Sequence, residues 1–136
     1  MNGKQQPITI KGRSLGITAL TAAQILIGIV HTVLGLILLG SELVVGTQVS
    51  IIYSIYTIAF GLLTLLFALL IWQGNKIGWA GTIAISLFVI AADTLTVLNL
   101  SSIPGIPKFA AAGEIPYSLL VILYLLLPHV RKKFSA

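Results

Sequence analysis

The sequence predicts an all-α fold, an integral membrane four-helix bundle in which neighbouring helices run antiparallel. The 136-residue chain is 57% hydrophobic and only 8% charged, with a mean hydropathy of +1.08. A soluble domain carries about 25% charged residues, so this composition excludes an ordinary soluble globule. Four long apolar runs follow a polar segment at residues 1–14, and they form one domain over residues 15–136. We read these runs as four membrane spans.

The first span is predicted at residues 15–40, a run of 26 residues with no formal charge. About 20 residues at about 1.5 Å each cross a hydrocarbon core of about 30 Å. The run is too long for the apolar part of a signal peptide, so we expect it to be retained. A loop is predicted at residues 41–48.

The second and third spans are predicted at residues 49–72 and 77–100, joined by a tight polar turn. Trp72 falls where an interfacial aromatic residue belongs. Gly74 and Asn75 suit left-handed backbone positions and favour a helical hairpin. The third span contains Asp93, the one carboxylate deep inside a predicted span.

The fourth span is predicted at residues 109–128, with the basic tail at residues 129–136. Pro104 and Pro107 end the preceding helix. Because Pro116 lies inside the run, we expect a loose segment at residues 109–114. A helix would follow and continue past Pro128 towards the tail.

The distribution of charge predicts the orientation in the membrane. Seven Lys and Arg residues lie in the N-terminal segment, the central turn and the C-terminal tail, against one, Lys108, on the other side. The positive-inside rule then places both termini in the cytoplasm of a multi-pass protein of the cell membrane. The basic residues form no face of the kind that binds nucleic acid, so no nucleic-acid partner is expected.

Each span carries a stripe of small and polar residues on one face, which includes Gln24 on the first span, Thr64 on the second, and Tyr117 and Tyr124 on the fourth. Lipid gives helices no hydrophobic reason to associate, so they pack through such small residues and through hydrogen bonds. We therefore expect the stripes to face one another inside the bundle. The residues predicted to mediate helix packing are Gly28, Gly35, Gly61 and Ser86.

Four polar side chains are predicted at a common depth in the membrane: His31, Asp93, Tyr56 and Glu114. Each lies 17 or 18 residues from the cytoplasmic edge of its span, or roughly 25 Å. The depths predict that His31 and Asp93 meet across the bundle. Burying a charge in a membrane is expensive, so such residues mark candidate functional sites. The pair can form a structural hydrogen bond between helices, conduct protons or ions, contribute to a metal site or contact a partner subunit.

The sequence predicts no catalytic residue, metal ligand set or cofactor. The chain has no cysteine, which excludes disulfides and thiolate chemistry. It also lacks the short motifs of serine hydrolases, zinc proteases, P-loops and dinucleotide-binding folds.

Two stretches resemble known groups of proteins. The order Gln24, Gly28, His31, Gly35 is similar to the first span of the membrane-spanning four-domain family of leukocyte antigens, over about 15 residues. The Trp–Gly–Lys turn of residues 72–76 and the Leu-x-Pro-x-Val-Arg end of residues 126–131 resemble small uncharacterised four-span proteins of bacteria and archaea. Neither resemblance implies a catalytic residue.

Two functions remain open at this point. The first is a small, non-catalytic accessory subunit of a larger membrane complex, whose partners are the lipid bilayer and other membrane subunits. The second is a homo-oligomeric channel or small transporter that uses the His31/Asp93 pair.

Overall fold

The computed structural model describes residues 9–10, 13–46, 51–100 and 103–135, and its architecture is almost entirely helical. Two-residue strands, β1 and β2, pair antiparallel before the first helix. The elements in chain order are β1 Thr9–Ile10, β2 Arg13–Ser14, α1 Leu15–Val45, α2 Ile51–Trp72, α3 Lys76–Val97, α4 Lys108–Leu126, α5 Pro128–Arg131 and a 3-10 turn Lys132–Phe134. The four long helices are each long and apolar enough to cross a membrane, which confirms the predicted all-helical class and the number of candidate spans.

Successive long helices run antiparallel. Gly28 on α1 faces Gly61 on α2, and Gly78 on α3 faces Ile71 near the end of α2. The end of the bundle that carries Ser14, the turn at residues 73–75 and the tail from residue 127 is called here the terminal end. The opposite end, with Gly46 and residues 103–107, is called the loop end. The closest backbone packing is between α1 and α2 and between α3 and α4, whereas α1 and α4 meet mainly through side chains.

Helix α1 is longer than the sequence predicted. Its 31 residues continue through Ser41 and Glu42, so the loop predicted from residue 41 is wrong over residues 41–45; residues 47–50 lie outside the described residues. Hydropathy falls at Ser41, but backbone hydrogen bonding continues until Gly46, whose φ of 67° ends the helix. At the other end, Ser14 caps α1 by accepting a hydrogen bond from the N–H of Ile17 at 3.3 Å.

In the turn between α2 and α3, the sequence predicted a left-handed backbone at Gly74 and Asn75, and the structure shows it at Gly74 alone of these two. Gly74 has φ 73°, as a left-handed turn residue should. Asn75 does not: its φ is −79°, and its side chain caps α3 by accepting from the N–H of Ile77 at 2.8 Å. The polar side chain of Asn75 therefore starts a helix instead of reversing the chain.

Helix α4 corrects the prediction for the fourth span. The segment predicted to be loose, residues 109–114, is helical, because α4 begins at Lys108 directly after the extended Pro107. Pro116 lies inside the helix, as membrane helices allow when neighbouring groups satisfy the freed carbonyl. The helix does not continue past Pro128; Leu127 is extended and α5 starts anew.

The buried faces of the first three helices coincide with the stripes of small and polar residues. On α4 the stripe is rotated by about one residue. The predicted inward residues Tyr117 and Tyr124 lie at the edge of the buried face, which is formed by Ala111, Ser118, Val121, Ile122 and Leu125. A cluster of apolar residues closes the terminal end of the bundle: Ile17, Leu20, Ile71, Val121, Leu125, Val130 and Phe134.

Candidate functional site

His31 forms the centre of a polar cluster in the middle of the bundle. Its Nδ1 lies 2.8 Å from the carbonyl oxygen of Ile27, one turn earlier on α1. Its Nε2 lies 3.2 Å from Oε1 of Glu114 on α4. A carbonyl only accepts, so Nδ1 carries a hydrogen. The His31–Glu114 contact then needs one further proton, on either Nε2 or the carboxyl group, and the pair shares it.

Asp93 joins the cluster through Glu114. Its side chain is only 1% exposed, and its Oδ2 has no hydrogen-bonding partner in the described residues. Glu114 and His31 are both its electrostatic neighbours. The hydrogen-bonding contact of His31 is with Glu114, and the predicted direct meeting of His31 with Asp93 stays a prediction. Both ring nitrogens of His31 are already engaged by Ile27 and Glu114.

Tyr56 does not hydrogen-bond with these groups. Its ring lies beside Phe60 and Phe88, with ring centroids 6.4 Å and 6.2 Å apart. Phe60 in turn meets the His31 ring edge-on at 4.8 Å. Tyr56 sits about 100° around α2 from the inward-facing Thr57, so it joins an aromatic row at the side of the cluster.

The four predicted packing residues lie at helix contacts. A Cβ on Gly28 would stand 3.0 Å from the carbonyl oxygen of Gly61, and one on Gly35 would stand 3.1 Å from that of Ser54. The absence of side chains therefore brings the α1 and α2 backbones together. Ser86, on α3, is buried at the wall of a cavity.

This cavity has a volume of about 130 Å³ and lies beside the polar cluster. All four long helices line it. Its polar lining includes Gln24 and His31 of α1, Thr64 of α2, Ser86 of α3, and Glu114, Tyr117 and Ser118 of α4. Ile27, Phe60, Ile85 and Val89 provide apolar walls. The cavity joins residues that the sequence had placed on separate stripes.

Sequence reasoning had placed Gln24, Thr64 and Tyr117 on inward faces without assigning them to a site. It missed Ser118 and Phe60 altogether. Ser118 lies one turn after Glu114, so the spacing of four residues on α4 is a signal that could have found it. Phe60 gives no such signal, because an apolar ring in a membrane span looks like any lipid-facing residue.

The chemistry available at this site is proton sharing and hydrogen bonding. In the part of the chain that the structure describes, no group of three His, Cys, Asp or Glu residues is arranged to hold a metal ion. The polar groups extend towards the loop end through Asp93 and the buried Thr57 and Ser54. Towards the terminal end, the apolar cluster closes the bundle. The site is therefore closed at the terminal end of the bundle in this conformation.

Comparison with known proteins finds no match to this chain among family models, curated proteins or solved structures.

Proposed function

We propose that this chain is a non-catalytic accessory subunit of a larger membrane complex. It spans the cell membrane four times with its terminal end in the cytoplasm. The excess of Lys and Arg at that end, seven residues against Lys108 at the loop end, supports the orientation. The apolar cluster that closes the terminal end leaves no open path through the described part of a single chain.

The length of α1 is the observation that carries the proposal. Its 31 residues extend about 46 Å, whereas the 22 residues of α2 and α3 extend about 33 Å, close to a hydrocarbon core of about 30 Å. Because Ser14 caps α1 at the terminal end, the excess projects from the loop end. The last turn there carries Leu43, Val44 and Val45, which are 70%, 84% and 74% exposed.

Three consecutive apolar residues beyond the hydrocarbon core are unfavourable in water, and none of the residues that the structure describes covers them. A surface of another membrane subunit would bury them. The proposal therefore assigns the α1 projection, residues 41–45, to contact with a different subunit.

The second candidate is an oligomeric channel or transporter that uses the intramembrane His31, Glu114 and Asp93 groups. The buried polar groups that run towards the loop end favour it. The apolar cluster at the terminal end opposes it, since a continuous path would have to cross Ile17, Ile71 and Leu125.

Purification in mild detergent tests the proposal. We expect a larger membrane protein to co-purify in a fixed stoichiometry, measured by native mass spectrometry. Replacing Leu43, Val44 and Val45 together by alanine should remove most of that partner. The matched control replaces Leu119, Leu120 and Leu123, comparably apolar residues exposed on the lipid face of α4, and should retain it.

The accessory function is contradicted if the wild-type protein purifies only as a homo-oligomer and conducts ions or protons in liposomes. It is also contradicted if the α1 and α4 triple variants lose the partner equally.

A further inference from the structure

The 130 Å³ cavity is lined by polar atoms that this chain leaves without partners. Gln24 Oε1, Thr64 Oγ1 and Tyr117 OH are all buried and unpaired within the described residues. The Gln24 and Thr64 side chains are each only 6% exposed. Because burying an unpaired polar atom costs free energy, three such atoms around one cavity indicate a molecule that hydrogen-bonds there.

The donor and acceptor pattern limits the chemistry of that molecule. Gln24 Oε1 only accepts, so the ligand must present an O–H or N–H group. The carboxyl group of Glu114 lies at the same cavity and offers acceptor oxygens as well. The lining includes no Lys or Arg, so nothing there favours a phosphate or another anion.

Size and wall composition indicate a single ring. A cavity of about 150 Å³ lined by apolar side chains binds benzene. This one is slightly smaller, and Ile27, Phe60 and Val89 contribute its apolar walls. It therefore fits one six-membered ring and excludes fused ring systems such as sterols.

The exposed part of the cavity lining lies on α1 and α4. His31 and Glu114 line it from these helices, and their side chains are 23% and 35% exposed. Gly113, also in the lining, is exposed beside them. In a chain that spans a membrane, this opening faces lipid within the hydrocarbon core, so a ligand arrives through the bilayer with any hydrocarbon tail remaining outside.

We propose that the cavity is a binding site for the head of a lipid-soluble phenol, a single hydroxylated ring on a hydrocarbon tail. The hydroxyl group donates to Gln24 Oε1 or to Glu114, the ring lies between Phe60 and the aliphatic walls, and the tail leaves between α1 and α4. Since four helices of one chain build the cavity, binding does not depend on the partner subunit proposed above.

Photolabelling of the purified full-length chain in lipid nanodiscs tests this site. The probe is an alkylphenol that carries a diazirine, and the labelled peptides are mapped by mass spectrometry. Saturable labelling is expected on α1 around Gln24 and on α4 around Gly113. 4-Pentylphenol should compete better than 4-pentylanisole or pentylbenzene by about tenfold, the effect of roughly one buried hydrogen bond.

Two variants with matched controls localise the site. A Cβ on Gly113 meets no atom within 4 Å, so Gly113→Leu should fold and block the opening, abolishing saturable labelling. Gly40→Leu is equally free of neighbours, lies outside the cavity lining and should label like the wild type. Gln24→Leu should weaken labelling about tenfold, whereas Gln73→Leu, at the exposed turn, should not.

The proposal is overturned if labelling does not saturate, which leaves water as the partner of the polar atoms. It is equally overturned if the three competitors act alike, which indicates simple partitioning into lipid, or if Gly113→Leu labels like Gly40→Leu.

Discussion

Replacing Gly61 by alanine is expected to destabilise the folded bundle by about 1–3 kcal/mol, the usual range for overpacking. The added Cβ would lie 2.6 Å from the backbone nitrogen of Thr32 and 2.8 Å from the carbonyl oxygen of Gly28. Backbone atoms cannot move aside as a flexible side chain can. The α1 and α2 helices must therefore separate, and their contact is the largest in the bundle.

The free energy of unfolding, measured by titration of detergent micelles with a denaturing detergent, checks this expectation. Gly40→Ala and Gly113→Ala are the matched controls, because a Cβ at either position meets nothing within 4 Å. Both should be neutral or slightly stabilising, since alanine favours helix over glycine. Equal unfolding midpoints for Gly61→Ala and the two controls would show that α1 and α2 are not in close contact.

Replacing Glu114 by leucine is expected to cost about 1–3 kcal/mol of stability, because His31 Nε2 loses its partner while remaining partly buried. Removing both groups, as in His31→Phe with Glu114→Leu, should cost less than the sum of the single changes. The double variant leaves no unpaired polar group, whereas each single variant leaves one, and an unpaired buried polar group lowers stability. Glu114→Gln keeps an acceptor oxygen and should retain much of the stability.

A double-mutant cycle measures this coupling directly. The cycle of His31 with Glu114 should show a larger interaction energy than the cycle of His31 with Asp93, because Glu114 Oε1 lies within hydrogen-bonding distance of the ring, at 3.2 Å from Nε2. Equal coupling, or a larger value for Asp93, would restore the pairing that the sequence predicted and contradict the arrangement described above.

The number and approximate position of the helices follow from hydropathy, but the ends of α1 and α4 do not. Polar Ser41 and Glu42 lower the hydropathy without interrupting backbone hydrogen bonds, so the helix continues to Val45. Pro116 disfavours a helix locally, yet α4 runs through it. Hydropathy reports where a residue can sit in lipid, whereas helix ends depend on caps such as Ser14 and Gly46.

Depth in the membrane can be counted along the sequence, and this counting brought His31, Glu114 and Asp93 to one level. It cannot show which carboxyl group meets the imidazole, because that depends on helix rotation and on which helices adjoin. A shift of one residue on α4, about 100°, decides whether Tyr117 or Ser118 faces inward. Tyr56 shows the same limit: a count of depth does not give the direction of its ring, which lies beside Phe60 and Phe88.

The central claim is a four-span topology with both termini in the cytoplasm. Single-cysteine labelling in intact cells tests this topology most directly. The chain has no cysteine, so single substitutions need no background correction. With a membrane-impermeant maleimide, Lys108→Cys at the loop end should be labelled from outside. Gln73→Cys and Ser135→Cys at the terminal end should react only after the membrane is permeabilised. Labelling of Gln73→Cys in intact cells would contradict the account.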